Sequence, residues 1–144
     1  MQEADPYLWL EEVEGESALA WVEQQNQRTV AELEAEPEFK ETVDRFLKIL
    51  DSREKLAYPA IRGKYIYNFW QDAEHVRGVW RRTTLNDYLK PAPNWETVLD
   101  LDALAKEENE NWVYKGTDCL YPDYRRCMIS LSRGGGDAVV IREF

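Results

Sequence analysis

The sequence predicts an α+β fold, with helices first and antiparallel strands after. Apolar residues recur at three-to-four spacing as far as Leu50, the pattern of a helix with one buried face. From Leu56 the period changes, and Tyr65, Tyr67 and Phe69 alternate with Ile66, Asn68 and Trp70 in an aromatic and β-branched run. Strands and helices nowhere take turns as a parallel sheet would require, so the β part is antiparallel.

Ser17 is placed to cap a first helix carrying Leu19, Val22, Val30 and Leu33, with Asn26 interrupting the stripe, and this helix runs to about Ala35. Pro37 suits the first position of a second helix, where Phe39, Val43, Phe46, Leu47 and Leu50 form a stronger stripe ending near Asp51-Ser52. Four strands are then expected: Tyr58–Arg62, Tyr65–Trp70, Val76–Thr84 after a turn at Asp72–His75, and Trp95–Leu101 beyond the Pro91-Ala92-Pro93 break. Four short consecutive strands are the content of one propeller blade. Asp102 can cap a short helix over Ala103–Glu108, and Trp112–Thr117, Arg125–Ser132 and Ala138–Phe144 begin a second blade. The chain therefore reads as an acidic helical segment, 1–54, followed by a partial β-propeller, 55–144, with blade one at about 56–101 and the start of blade two at about 112–144.

At 144 residues, 44% hydrophobic and 12% aromatic, the chain can bury a core and is not a disordered segment. The net charge of −10 has a definite address: residues 1–54 hold fifteen Asp/Glu against five Lys/Arg, and residues 55–144 hold thirteen of each. Such a surface repels phosphate backbones and anionic lipid, so no nucleic-acid or membrane partner is expected. Met1-Gln2-Glu3-Ala4-Asp5 lacks the basic start and apolar run of a signal peptide, and no stretch approaches spanning length. A cytoplasmic location is the expectation. Cys119 and Cys127, without a CxxC or a nearby His, read as free thiols.

The candidate chemical motifs are thin. Gly134-Gly135-Gly136 precedes a strand, not a helix, and so reads as a hairpin turn instead of a phosphate cradle. No GxSxG elbow is present, no serine is a credible nucleophile, and His75 falls in a turn among Asp72, Glu74 and Arg77. Glu11-Glu12, Glu14 and Glu16 read as a solvated charge run, and the six tryptophans and eight tyrosines as core, not a stacking platform. No catalytic, cofactor-binding or metal-ligating residue is assigned, and no cofactor is expected.

Asp5-Pro6-Tyr7-Leu8-Trp9-Leu10-Glu11-Glu12, followed by Ala20-Trp21-Val22-Glu23-Gln24-Gln25-Asn26, resembles the N-terminal signature of the prolyl oligopeptidase family of serine peptidases. Ser130-Leu131-Ser132-Arg133-Gly134-Gly135-Gly136-Asp137 with Val139–Phe144 resembles the second-blade strand and turn of that family. The resemblance implies an N-terminal helical segment (residues 5–52) that packs on an α/β-hydrolase domain, and a propeller that lids the active site and admits short peptides. The family's serine, aspartate and histidine belong to the hydrolase domain, and no position here matches their motifs, so the chain is expected to be inactive by itself. Orphaned surfaces at Trp9, Trp21 and Val139–Phe144 are expected to drive self-association or to meet the missing hydrolase domain, with short peptides bound only by full-length relatives. The alternative is a stand-alone interaction module that binds another protein through its helical face or open β edge.

Overall fold

The computed structural model describes residues 5–12 and 14–144, which fall into two units meeting between Ile49 and Leu50. The N-terminal stretch read above for signal-peptide features lies, from Met1 to Ala4, outside the described residues.

In the first unit a 3-10 turn at Leu8–Glu11 precedes α1 (Glu16–Glu34), and α2 (Phe39–Leu50) follows. Gly15, not Ser17, occupies the cap position of α1: its carbonyl accepts from Leu19 N at 2.9 Å, and no side chain caps the helix. Ser17 is already inside the first turn. Pro37 falls in the link between the helices, two residues before α2 begins. Ala18 is buried, and Trp9 meets Trp21 edge-on at 6.5 Å. The apolar stripe of α2 is present as expected, yet Val43, Phe46, Leu47 and Leu50 are all exposed, Phe46 by 58% and Leu50 by 66%.

The second unit holds two antiparallel sheets. The first is β1 (Ala60–Arg62), β2 (Tyr65–Trp70), β3 (Val79–Thr84) and β4 (Glu96–Asp100), paired in chain order. The second is β5 (Trp112–Cys119), β6 (Cys127–Arg133) and β7 (Val139–Glu143), also in chain order. The expected order of helices followed by antiparallel β structure is the observed one. One four-residue helix, α3 (Leu85–Tyr88), is additional to it, capped by Thr84, whose Oγ1 accepts from Asp87 N at 3.2 Å.

α4 (Leu101–Glu108) joins the sheets and is capped by Asp100, whose Oδ1 accepts from Ala103 N at 3.0 Å. Asp102 has a different task from the expected cap: its carboxylate accepts from Arg77 N at 3.1 Å and from Gly78 N at 3.3 Å, tying the helix start to the entrance of β3. Gly78 sits at φ +104°, and a Cβ there would lie 2.4 Å from Phe69 Cζ, so both backbone and space demand glycine. Gly134 (φ +62°) and Gly135 (φ +87°) turn β6 into β7, the hairpin the glycine run predicts.

The core lies between the sheets. Tyr67, Trp80 and Leu99 of the first sheet, Leu101 and Ala105 of α4, and Trp112, Cys127, Ile129 and Leu131 of the second form one buried cluster. Phe69 stacks on Tyr114 across the junction with centroids 4.2 Å apart. The aromatic residues of the strands are thus mainly packing material, as the alternation predicts.

The two cysteines are not free thiols. Antiparallel register sets Cys119 opposite Cys127 with Cα atoms 4.0 Å apart, and they form a disulfide. Cys127 exchanges its backbone bonds with Phe144 (2.8 and 2.9 Å), so it faces Cys119 as a non-hydrogen-bonded pair, where side chains approach most closely. Their spacing in sequence carries no such information until the register is known.

Leu101 is fully buried where both sheets and α4 meet, whereas Ile61 is 74% exposed. Leu101→Ala is expected to cost about 2–5 kcal/mol of unfolding free energy in urea titrations, and Ile61→Ala no more than about 0.5 kcal/mol.

Candidate functional site

The turn from β2 to β3 gathers the polar groups that sequence reasoning set aside. Asp72 stands at its start with its side chain only 8% exposed. Its Oδ2 accepts from Trp70 Nε1 at 2.9 Å, and its Oδ1 accepts from the backbone N–H groups of Glu74 (3.0 Å) and His75 (2.9 Å) and lies 3.0 Å from His75 Nδ1. Burial by itself would raise the Asp72 pKa, but these bonds, led by that from Trp70, outweigh it and hold the carboxyl well below the usual carboxylate range. His75 is therefore paired within its own turn, the solvated-turn position expected for it. Among the described residues its ring has no serine partner. Ser132 is fully buried in β6 with an unpartnered Oγ, where no substrate reaches it. Glu11, Glu12, Glu14 and Glu16 are exposed, and among the described residues no group of three His, Cys, Asp or Glu is placed to hold a metal ion.

Two clefts flank the first sheet. One, of about 560 Å³, opens at the end where the β1–β2 and β5–β6 turns lie together, and Arg62, Tyr65, Tyr67, Arg82 and Tyr124 line it. Two of its arginines, Arg62 and Arg82, are engaged. Arg62 donates to Thr117 O at 3.0 Å and lies over Tyr67 and Trp80. Arg82 forks onto Glu96 at 2.8 and 2.7 Å, and that carboxylate, with Tyr67, raises the guanidinium's pKa further.

The other cleft, of about 760 Å³, lies on the opposite face of the same sheet. Its floor is Trp70, Arg81 and Trp95. Residues 53–57 form one wall and Tyr88 to Pro93 the other, pinned together where Tyr88 Oη donates to Ala57 O at 2.9 Å. The Arg81 guanidinium sits 4.3 Å from the ring centroids of both Trp70 and Trp95, and its Nε donates to Asn68 Oδ1 at 3.0 Å. Burial lowers its pKa to about 10, against the opposing pull of Asp72. Sequence reading missed this cluster. Its one signal is that Asn68 and Arg81 become direct cross-strand partners once β2 and β3 are paired through the Asp72–His75 turn.

A family model described as "Prolyl oligopeptidase, N-terminal beta-propeller domain" matches residues 1–144. Over 142 residues the chain is 46% identical to an uncharacterized peptidase of Sinorhizobium fredii, covering 98% of this chain and 20% of that one. It is 33% identical to a prolyl endopeptidase of Elizabethkingia miricola over 138 residues, 94% of this chain and 18% of the relative. A solved post-proline cleaving enzyme from Rickettsia typhi superposes with TM-score 0.87 at 37% identity, over 94% of this chain and 20% of its own. Oligopeptidase B from Leishmania major shares the fold, with TM-score 0.68 at 14% identity over 96% of this chain and 19% of its own. The chain thus spans about a fifth of the length of the relatives it matches.

Because the folded-state pKa of Asp72 is depressed, its stabilisation is complete above the unfolded value of about 3.9 and is lost as pH falls through the folded value. Asp72→Asn is expected to cost about 1–3 kcal/mol at pH 7. In urea titrations from pH 7 downward, the gap to the wild type should hold to about pH 4 and then close.

Proposed function

Because this chain belongs to the prolyl oligopeptidase family through its N-terminal beta-propeller domain, we propose that residues 1–144 are the scaffold and gating portion of a prolyl-oligopeptidase-like serine peptidase. The chemistry resides in a separate hydrolase domain, and the substrates are short peptides. The observation that carries this reading is the pair of antiparallel sheets, strands in chain order, packed face to face through one core as successive blades are. His75 and Asp72 close a turn, and Asp102 anchors α4.

The exposed stripe of α2, Val43, Phe46, Leu47 and Leu50, supports a partner role for the helical segment, with the hydrolase domain as its partner. Without that partner, self-association is the expected way of covering it. A stand-alone interaction module using the same stripe is the second reading. No helix among the described residues is long and apolar enough to cross a membrane. A cytoplasmic setting completes the proposal, and there the Cys119–Cys127 pair would meet a reducing thiol pool.

The test is to mix the chain with a hydrolase domain of this family and follow both binding and cleavage of a proline-containing fluorogenic peptide. Alone, the chain should show no turnover and no fluorophosphonate label, with a light-scattering mass above that of one chain. The hydrolase domain should bind it, and Phe46→Asp with Leu50→Asp should abolish binding without unfolding the sheets, since both side chains are exposed. Stoichiometric labelling of the chain alone would overturn the scaffold reading. Binding unaffected by the two substitutions would overturn the role given to α2.

A further inference from the structure

Cys119 and Cys127 face each other across β5 and β6 on the side of the second sheet turned to the first. Cys127 belongs to the core that both sheets share, and Cys119 is half-buried against it. Both layers around the pair lie within this chain. Residues 120–126 form the turn beyond it, where Leu120 N donates to Arg126 O and Tyr124 N to Leu120 O, each at 2.9 Å. Just before Cys119, Arg62 Nη2 donates to Thr117 O at 3.0 Å and ties β5 to the end of β1. Two consequences of the register bear on the bond. First, backbone pairing holds the cysteines opposite each other independently of the disulfide: Cys127 exchanges two bonds with Phe144 at 2.8 and 2.9 Å, and the Leu120–Arg126 bond flanks the pair on the turn side. Thiols released by reduction stay opposed and can re-form the bond without rearrangement. Second, a non-hydrogen-bonded pair brings its Cα atoms to about 4.5 Å, closer than the roughly 5.5–6 Å that a disulfide most often spans. The bond is therefore made at the spacing of the sheet and not at its own, which favours its reduction over that of a relaxed disulfide.

We propose that Cys119 and Cys127 form a reversible redox clasp on the β5–β6 turn, closed as the disulfide and opened by a low-molecular-weight thiol such as glutathione. In opening, a glutathione thiolate attacks Sγ of Cys119, the less buried of the two. The S–S bond breaks, and Cys127 leaves as a thiolate that takes a proton from solvent. A second glutathione thiolate then displaces Cys119 from the mixed disulfide, and Cys119 is protonated in turn. The two electrons come from the two glutathiones, which end as glutathione disulfide, while the protein gains two thiols. β5 and β6 stay paired in both states. Once the bond is gone, residues 120–126 are held by their few backbone bonds alone, and the turn frays beside the β1–β2 turn.

The test equilibrates the 144-residue chain in millimolar glutathione over a range of reduced-to-oxidised ratios, traps free thiols with N-ethylmaleimide and counts the adducts by mass spectrometry. In about a hundredfold excess of reduced glutathione each chain should carry two adducts, and where the oxidised form predominates none, with one curve reached from either direction. Hydrogen exchange on the two forms should show the Leu120 and Tyr124 amides sped by reduction at least about tenfold more than the amides of β3. The double variant Cys119→Ala with Cys127→Ala should exchange like the reduced wild type in either buffer. A disulfide that persists in excess reduced glutathione overturns the proposal irrespective of how the variant folds, and so does a reduction that oxidised glutathione does not reverse. Equal acceleration at the turn and in β3 would make the bond a staple of the whole β unit, and no acceleration would leave it without a conformational effect. Either result would also overturn it.

Discussion

The β portion of this chain depends on one junction, the burial of Leu101 and Trp112 between two sheets that would otherwise each show an apolar face to water. A single sheet of three or four strands has no second layer, so its inner residues gain nothing until another layer covers them. α4 supplies the coupling. Leu101 is its first residue and is fully buried, its backbone N–H donates to Gly78 O at 3.0 Å, and Asp102 beside it holds the start of β3. Trp112 then opens β5, with its indole N–H on Glu108 at 2.7 Å and the guanidinium groups of Arg133 and Arg142 each 4.9 Å from its ring. Arg142 closes the set by forking onto the same Glu108 at 2.6 and 2.8 Å. One aromatic residue thus joins helix, two strands and their charges.

Asp72, His75 and Asp102 are all engaged with the backbone or with each other in fixing turns. The helical segment has the opposite character. Its apolar groups are largely exposed, and its large excess of acidic residues keeps it compatible with water. The β portion is packed about one core, whereas the helical segment leaves its apolar stripe exposed.

The change of period at residue 56, the aromatic alternation and the glycine turn were legible because each is a local property that the tertiary structure has no reason to override. Boundaries were less so. Asp100 and Asp102 are both sound caps by composition, and the choice falls to Asp100 because β4 ends there and Leu101 must enter the core. Ser17 loses to Gly15 for a similar reason, the chain having turned into α1 two residues earlier. The disulfide and the Arg81 cleft both depend on strand register, which pairs Cys119 with Cys127 and Asn68 with Arg81, and a linear pattern does not contain register.

Native-state hydrogen exchange tests the central claim, that the two sheets share one core, most directly. Amides of β3 and β6 should open with the same free energy, and Ile129→Ala, made only in the second sheet, should speed exchange in β3 as much as in β6. If β3 kept its protection while β6 lost it, the sheets would be separate units and the inter-sheet core would not be what holds this structure together.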